Sequence, residues 1–255
     1  MENALLVGLS RQMVLERQID VVANNIANLN TTGFKADNSM FERYLMPVAR
    51  ENRFDPPDRE VNFVNDRGTW RDIRPGAMQN TGNPLDVAID GNGFLAVQTP
   101  NGERYTRNGA LQINAQGQLV TSDGSQVLGD SGPIVFQTTD HDISIAPDGR
   151  VTVVEGNATS TESLRGRIRV VSFASPELMQ KEGNNNFSAP GGVAAAQDTN
   201  SRLMQGSLEK SNVNGVVEMT RLIEISRAYQ QVASLLQQQS ELHKSSIQQL
   251  ANVPT

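Results

Sequence analysis

The sequence predicts an α+β fold, in which long helices at both ends flank a β-rich antiparallel middle domain. Two observations predict it. Apolar residues recur at helical spacing near both ends, and between them short alternating apolar and polar runs are separated by turn-forming Asn-Gly and Asp-Gly pairs. We therefore expect an N-terminal helix within residues 1–35, an extended linker over 36–74, a β-rich domain over 75–200 and a C-terminal helix within 201–255.

The N-terminal helix is predicted by apolar residues at alternating spacings of four and three, a pattern typical of helices that pack in a coiled-coil-like manner. These residues are Leu15, Ile19, Val22, Ile26 and Leu29. The helix, over about 4–30, should end near Asn30. Thr31 and Thr32 are β-branched, and Gly33 provides the permissive backbone that suits a position just past a helix end.

The C-terminal helix is predicted by a similar stripe with spacings of three and four. Its residues are Met219, Leu222, Ile225, Tyr229, Val232 and Leu236. A helix over about 214–250 would be roughly 55 Å long. Two such helices present more apolar surface than one β domain covers, so we expect other chains to complete the burial. Periodicity alone fits equally well an ordinary monomer in which the two helices simply pack together.

The middle of the chain carries closely spaced turn pairs, which predict a meander of antiparallel hairpins over 101–124. The pairs lie at 101–102, 108–109, 116–117, 123–124 and 148–149. The Gly-Asn-Gly segment 91–93 also indicates a hairpin turn. Segments 47–69 and 183–200, which are rich in charges and Pro or in Gly, Asn and Ala, indicate linkers or loops.

Nothing in the sequence indicates an enzyme. It has no cysteine, and His141 and His243 are its only histidines, so thiolate chemistry is excluded and no metal-ligand spacing is found. The net charge of -6 gives no broad positive field for nucleic acid. We expect no catalytic, metal-binding or cofactor-binding residues, no cofactor and no membrane insertion. The opening lacks the charged and uninterrupted apolar regions of a secretory signal.

Three long segments resemble the flagellar rod and hook proteins, the axial proteins of the bacterial flagellum. VVANNIANLNTTGFKA resembles the family's N-terminal signature. TGNPLDVAIDGNGFLAV, with YTRNGALQINAQGQLVTSDG, resembles its β-rich signature, and GSLEKSNVNGVVEMTRLIEISRAYQ resembles its C-terminal helix motif. Within the family, the opening MENALLVGLSRQM, the length and the segment VLGDSGPIV are most similar to the proximal rod member. The distal rod member is the alternative.

The resemblance implies a structural subunit of the basal-body rod. It would polymerise through its terminal helices, which form an inner layer of the axial drive shaft and export channel, with the β domain outside. Expected partners are copies of itself, other axial rod proteins and the flagellar type III export apparatus. The expected location is the rod in the periplasm, reached without a cleaved signal peptide.

The resemblance also places the subunit interface on the two helical stripes. Asparagines of the N-terminal signature are implied to hydrogen-bond at helix contacts, and Gly33 to let the chain turn away from the inner layer. The implied interface residues are Leu15, Ile19, Val22, Asn24, Asn25, Ile26, Asn28, Leu29, Gly33, Leu222, Ile225, Tyr229, Val232 and Leu236. We further expect the striped ends to fold when they meet neighbouring subunits.

Two other classes of function fit the sequence less well. A periplasmic module that binds or processes glycans would need aromatic stacking surfaces or a carboxylate pair, whereas the chain has one Trp and three Tyr and no evident pair. A coiled-coil adaptor would form a discrete dimer rather than an axial polymer.

Overall fold

The computed structural model describes residues 2–46, 61–156, 162–191 and 194–251. These residues fall into two compact units. We call them the helical unit, drawn from Met1–Ala27, Asp37–Arg71 and Asn214–Thr255, and the β unit, drawn from Asn28–Ala36 and Asp72–Val213. The α+β class predicted from the sequence is confirmed, with one helix at each end and antiparallel strands between them.

The helical unit contains α1, Glu2–Ala27, and α2, Gly215–Ala251, close to their predicted positions. Helix α1 ends three residues before the predicted Asn30, in a turn in which the backbone N–H of Thr31 donates to the carbonyl of Asn28. Helix α2 begins after Asn214, whose side-chain oxygen accepts from the backbone N–H of Val216 at 3.2 Å. Asn214 is therefore the N-cap of α2.

A hairpin completes the helical unit. Strands β1, Asp37–Met46, and β2, Val61–Arg71, pair antiparallel, beginning with Asp37 opposite Arg71. The sequence analysis predicted an extended linker over 36–74 and did not predict this pairing. Main-chain hydrogen bonds hold a ladder together without apolar alternation, so a charged and Asn-rich segment gives little local signal of it. The prolines that indicated a linker lie in 47–60, outside the described residues.

The β unit is built from short strands, all of which pair antiparallel. The strands are β3 Met78–Asn80, β4 Val87–Asp90, β5 Phe94–Thr99, β6 Gly102–Thr106, β7 Leu111–Ile113, β8 Leu119–Thr121, β9 Gln126–Gly129, β10 Gly132–Pro133, β11 Asp140–Ile145, β12 Arg150–Glu155, β13 Glu162–Arg167, β14 Val170–Phe173, β15 Gln180–Lys181, β16 Asn186–Ser188, β17 Ala195–Gln197, β18 Arg202–Gln205 and β19 Ser207–Glu209. A 3-10 helix, Pro176–Leu178, lies between β14 and β15.

The described strands of the β unit form four sheets. The largest has the order β15-β16-β6-β5-β9-β8-β7, with β14 on β5, β17 on β14 and β10 on β9. Strands β11, β12 and β13 form a second sheet, and the pairs β4–β18 and β3–β19 form the others. Strands β16 and β17 lie in segment 183–200, predicted as a linker or loop, and β18 and β19 lie in the predicted C-terminal helical region, so none of the four was predicted as a strand.

The predicted meander is confirmed at three of its turns, which connect β5 with β6, β7 with β8 and β8 with β9. The pair at 108–109 instead links β6 to β7, which do not pair. The predicted hairpin at 91–93 is wrong, because β4 pairs with β18 and not with β5. Gly91 and Gly93 allow close packing: a Cβ on Gly91 would lie 2.3 Å from Ser201 Oγ, and one on Gly93 2.5 Å from Val170 Cγ1.

Two apolar clusters fill the β unit. The larger joins residues of the large sheet, of β4 and β18, and of the β11–β12–β13 sheet, with Val87, Leu95 and Val151 completely buried. The smaller is aromatic: Phe94 lies edge-on to Phe173 and Phe187, with ring centroids 5.8 and 5.9 Å apart. These clusters give the β unit a core of its own, composed entirely of β-unit residues.

Candidate assembly surface

The predicted stripes of α1 and α2 meet each other within the helical unit. Leu15, Val22 and Ile225 are buried in one apolar cluster. Partly buried residues pack against it, namely Ile19, Ile26, Leu222, Ala228, Tyr229 and Val232. Gln12 also donates a hydrogen bond to the Tyr229 hydroxyl at 2.9 Å. Most of the predicted stripe residues therefore form a contact between the two helices of one chain, which we call the seam.

Close approach of the helices extends to their other ends through Gly8. A Cβ on Gly8 would lie 2.6 Å from Leu236 Cδ2, so the absence of a side chain makes room for the Leu236 side chain. Glycine in a helix interior costs about 1 kcal/mol relative to alanine, a cost that the close helix approach offsets here. Leu236 is thus placed at the contact, whereas Leu29 lies beyond α1 in the β unit.

Asn25 fixes the hairpin and both helices of the helical unit to one another. Its amide nitrogen donates to the carbonyl of Asp37 at 2.8 Å and to the Glu218 carboxylate at 3.4 Å, and its oxygen accepts from the backbone N–H of Asp37 at 3.0 Å. The side chain is completely buried, so these partners satisfy it where water is absent. Asn24 is exposed on α1, and Asn28 lies in the β unit, where its side-chain oxygen accepts from Thr31 Oγ1.

Gly33 lies in the β unit with a left-handed backbone, φ +67°. Its N–H donates to the carbonyl of Glu209 at 2.8 Å. A Cβ at this position would lie 2.5 Å from the carbonyl oxygen of Arg107. Both the backbone angle and the space therefore require glycine.

A second set of apolar side chains on the two helices is exposed. On α1 the set comprises Leu6, Leu9 and Met13, and on α2 it comprises Val216, Val217, Met219, Ile223, Leu235, Leu242 and Ile247. Met219, which belongs to the predicted stripe of the C-terminal helix, is 55% exposed, because the helix contact begins one turn later at Leu222. We call these ten residues, which lie on more than one side of the helices, the exposed apolar face.

The exposed apolar face was not predicted, because only one apolar stripe was assigned to each helix. The missed signal is the breadth of the apolar positions: α2 carries large apolar residues beside its stripe at 223, 235 and 242 as well as on it. A helix that is apolar on more than one side buries more than one side when it functions. Large exposed apolar surfaces of this kind mark interaction sites.

An open groove of about 590 Å³ lies along the helix pair, next to Gly8 and Leu236. Its walls are mainly apolar and include Val7, Leu235 and Leu242, and Arg11 and His243 border it. The groove joins the exposed apolar face to the seam. Its shape and apolar lining suit side chains of another helix.

The β unit contains a buried charge cluster that the sequence analysis also missed. Glu209 accepts from Lys35 Nζ at 2.6 Å and from Arg107 Nε at 2.9 Å, and all three side chains are at most 1% exposed. Burial lowers the pKa of Lys35, and the positive charge of Arg107 lowers it further, while Glu209 opposes both effects. Lys35 and Glu209 lie within the first and last of the three resembling segments, but nothing in the local sequence around either charge indicates that the two pair.

The described residues offer no evident centre for chemistry. No group of three or more His, Asp or Glu side chains in the described part of the chain is placed to hold a metal ion. Neither described helix is long and apolar enough to cross a membrane. The features that stand out are the paired helices and their exposed apolar face.

Family models match the chain at both ends and in the middle. Residues 5–35 match the model described as flagella basal body rod protein. Residues 88–153 match the flagellar hook protein FlgE/F/G D1 domain, and residues 204–250 match the flagellar basal body rod FlgEFG protein C-terminal model. The first and last matches include most of α1 and α2, the helices that carry the exposed apolar face.

Curated relatives match over nearly the whole length. The chain is 42% identical to the flagellar basal-body rod protein FlgF of Caulobacter vibrioides, over 99% of this chain and 100% of the relative. It is 32% identical to FlgF of Mesorhizobium japonicum and 31% identical to the rod protein FlgG of Bacillus subtilis, each over 99% of both chains. With identity at this level over full length, the chain belongs to the family of flagellar basal-body rod proteins.

Proposed function

We propose that this chain is a structural subunit of the flagellar basal-body rod, of the FlgF type, which joins the rod through its two terminal helices. The observation that carries the proposal is the exposed apolar face on the helices that match the terminal family models. Burying one large apolar side chain contributes about 1.5–3 kcal/mol, so several of these ten residues supply enough to offset the cost of association. At the level of the family, the relatives are rod proteins and not enzymes.

The two sets of apolar residues have different roles. Leu15, Val22 and Ile225 hold α1 against α2 within the chain, and we assign to them the role of a support. The exposed apolar face and the groove beside Gly8 take the apolar side chains of neighbouring subunits. Together they would form a coiled-coil-like inner layer in which each helix pair is completed by other chains.

The FlgF type is proposed over FlgG because the identity to the Caulobacter vibrioides FlgF is 42%, whereas the FlgG relatives are 31–34% identical. By the same resemblance, the partners are copies of this chain, other axial rod proteins and the flagellar type III export apparatus. The site of action is the rod in the periplasm, reached through that apparatus without cleavage of a signal peptide. Fluorescent labelling of the protein in cells and in isolated basal bodies tests this placement. A label that stays in the cytoplasm and is absent from the basal bodies would contradict it.

We also propose that incorporation completes the ordering of α1 and α2, which pair through the seam in the free subunit. Among the described residues of the free subunit, the apolar cluster around Leu15, Val22 and Ile225 joins α1 to α2, and the exposed apolar face remains in water. Helices with so much unburied apolar surface gain most of their stability from packing against other elements. Contact with neighbouring subunits would therefore both order the helices and bury the face.

The proposal is tested by placing a charge on the exposed apolar face. Leu235 on α2 is 63% exposed, so Leu235→Asp leaves the free subunit folded but puts a carboxylate where a neighbouring helix packs. We expect its recovery in isolated basal bodies, measured by immunoblot in cells that lack the native protein, to fall about tenfold or more, since 1.4 kcal/mol corresponds to tenfold.

The matched control is Leu164→Asp, which places the same charge at a leucine that is 61% exposed on β13 of the β unit. We expect this variant to enter basal bodies and to support swimming as the unaltered protein does. If both variants assemble equally well, the exposed apolar face is not the assembly surface.

A further inference from the structure

The chain passes between the two units at four points, namely 27–28, 36–37, 71–72 and 213–214. The segments that lead to three of these points inside the β unit are bound to one another. These segments are 33–36, 72–76 and 209–212. They are far apart in the sequence and lie outside the hairpin meander, so their meeting has to be maintained by specific contacts.

Asn212 joins all three segments with one side chain. Its amide nitrogen donates to the carbonyls of Asp72 at 2.7 Å and Arg74 at 3.1 Å, and its oxygen accepts from the backbone N–H of Ala36 at 2.8 Å. The backbone adds two further bonds, from the N–H of Asp72 to the carbonyl of Ala36 at 2.9 Å and from the N–H of Asn212 to the carbonyl of Phe34 at 3.4 Å. Each segment is therefore tied to both of the others.

The buried charge cluster binds the same segments a second time. Lys35 Nζ donates to the Arg74 carbonyl at 2.8 Å as well as to Glu209, and Glu209 also accepts from the backbone N–H of Gly76 at 2.8 Å. Partners with complementary charge and full burial hold their geometry tightly, because any separation leaves an unpaired charge away from water.

Arg107 attaches this arrangement to the strands of the β unit. Its Nε bonds Glu209, and its Nη2 donates to the carbonyls of Ile89 at 3.2 Å and Gly91 at 2.7 Å, at the end of β4. The guanidinium also lies over the ring of Phe94, 5.5 Å from its centroid. All these partners belong to the β unit, so the arrangement requires neither α1 nor α2 for its contacts.

We propose that segments 33–36, 72–76 and 209–212 form a preformed junction. In the free subunit the β unit alone holds segment 33–36, which follows α1 after five intervening residues, beside segment 209–212, which precedes α2, before any neighbour completes the ordering of the helices. Because segments 33–36 and 209–212 are held at hydrogen-bonding distance, close in sequence to the end of α1 and the start of α2, pairing of the two helices is an event within one chain at high effective concentration. Each subunit then presents its own helix pair to the rod, and exchange of helices between copies is disfavoured.

Hydrogen exchange on the free, full-length subunit tests the junction. We expect the amides of Gly33, Ala36 and Asp72 to be protected as strongly as those of β5, while the amides of α1 and α2 exchange faster. In Asn212→Ala the amides of Ala36 and Asp72 should exchange about tenfold faster or more, since each loses a partner or a neighbouring bond. Amides of β5 and β12 should keep their rates.

A second variant, Asn212→Asp, removes only the hydrogen bonds that the Asn212 side chain donates. The carboxylate still accepts from Ala36, but it cannot donate to the Asp72 and Arg74 carbonyls and repels them, so loosening of 72–76 should equal or exceed that in the alanine variant. The matched control is Asn114→Ala, which removes an asparagine that also caps a turn in the β unit, between β7 and β8, with bonds at 2.9 and 3.0 Å. It should loosen that turn and leave the junction amides unchanged.

A second measurement is the amount of each variant that is incorporated into basal bodies. Asn212→Ala should reduce incorporation into basal bodies about tenfold, although α1, α2 and the exposed apolar face are unaltered, whereas Asn114→Ala should assemble normally. The proposal is overturned if 33–36 exchanges as fast as α1 in the unaltered subunit, or if the two asparagine variants give the same junction rates. The exchange result does not depend on the proposed rod function, so the two can fail separately.

Discussion

Glu209 is the residue on which two buried positive charges depend. Lys35 and Arg107 both pair with it, and neither has more than 1% of its side chain exposed. A buried ion pair adds little to stability by itself, but removing one partner leaves an uncompensated charge in a medium that solvates it poorly. The cluster is asymmetric, with two cations and one carboxylate. The effect of a substitution should therefore depend strongly on which partner is lost.

We predict that Glu209→Gln destabilises the protein by about 3–5 kcal/mol, because it leaves both cations unpaired. Lys35→Met should cost less, about 1–3 kcal/mol, because Arg107 and Glu209 remain as a balanced pair and the main loss is of hydrogen bonds. Urea unfolding measures both. Asp148→Asn, which removes an exposed ion pair with Arg150, serves as the control and should leave stability unchanged. Equal losses for the two buried variants would contradict this account of the cluster.

Asp123 makes stability depend on pH at the turn between β8 and β9. Burial acts to raise the pKa of its carboxyl, but hydrogen bonds from Thr121, Ser125 and Asn186 outweigh burial and hold the pKa below its ordinary value of 3.8. A carboxyl with a depressed folded pKa stabilises the fold above its unfolded pKa. That contribution disappears as the pH falls through the folded pKa.

Asp123→Asn should therefore lower the free energy of unfolding at neutral pH, and the difference from the unaltered protein should shrink as the pH falls below about 4. Denaturant unfolding over a pH series measures the difference. A gap that stays constant, or widens in acid, would show that the carboxylate charge is not what the hydrogen bonds stabilise.

At the scale of elements, the two helices and most hairpins were predictable and the long-range pairings were not. The stripes at 15–29 and 222–236 carry the helical period, and the turn pairs at 101–102 and 116–117 sit between strands that are neighbours in sequence. Strand β4, in contrast, pairs with β18 more than a hundred residues away. Alternation identifies a strand but not its distant partner, so the two-stranded sheets remained unpredicted.

The same limit applies to the candidate site. The seam residues were found because burial imposes a period on the sequence. The exposed apolar face and the junction were missed, since one lies beside the dominant stripe and the other joins single polar residues such as Asn212 across three segments. Hydrogen bonds between distant single residues leave no periodic trace. Only the folded backbone shows that they meet.

Two isoleucines of α2, two positions apart, distinguish the role of the seam from that of the exposed apolar face. Ile225 is 9% exposed against Leu15 and Val22, whereas Ile223 is 54% exposed. Ile225→Asp buries an unpaired carboxylate, so we expect it to separate α1 from α2 and reduce the helical circular dichroism of the free subunit, with the β unit still folded and incorporation blocked. Ile223→Asp should keep the helical signal. The assignment fails if Ile223→Asp reduces that signal as much as Ile225→Asp, or if Ile225→Asp enters basal bodies normally.

At the scale of the whole molecule, the two units have different tasks. The β unit has its own apolar clusters and its own buried charges, so its stability is internal. Among its described residues, the helical unit has an internal seam and ten exposed apolar side chains on its helices, so its stability is completed elsewhere. This division is what a polymerising subunit requires, because the assembling surface has to remain open until a neighbour arrives.

The most direct test of this account is the reactivity of a single cysteine at Leu235, in a chain that has no other cysteine. Because Leu235 is exposed in the free subunit, Leu235→Cys should react readily with a maleimide in solution. In isolated basal bodies its reaction rate should be lower by a factor on the order of ten or more. Leu164→Cys reports the reactivity of an equally exposed position on the β unit. Equal rates for Leu235→Cys in the free and assembled states would contradict the claim that neighbouring subunits cover the exposed apolar face.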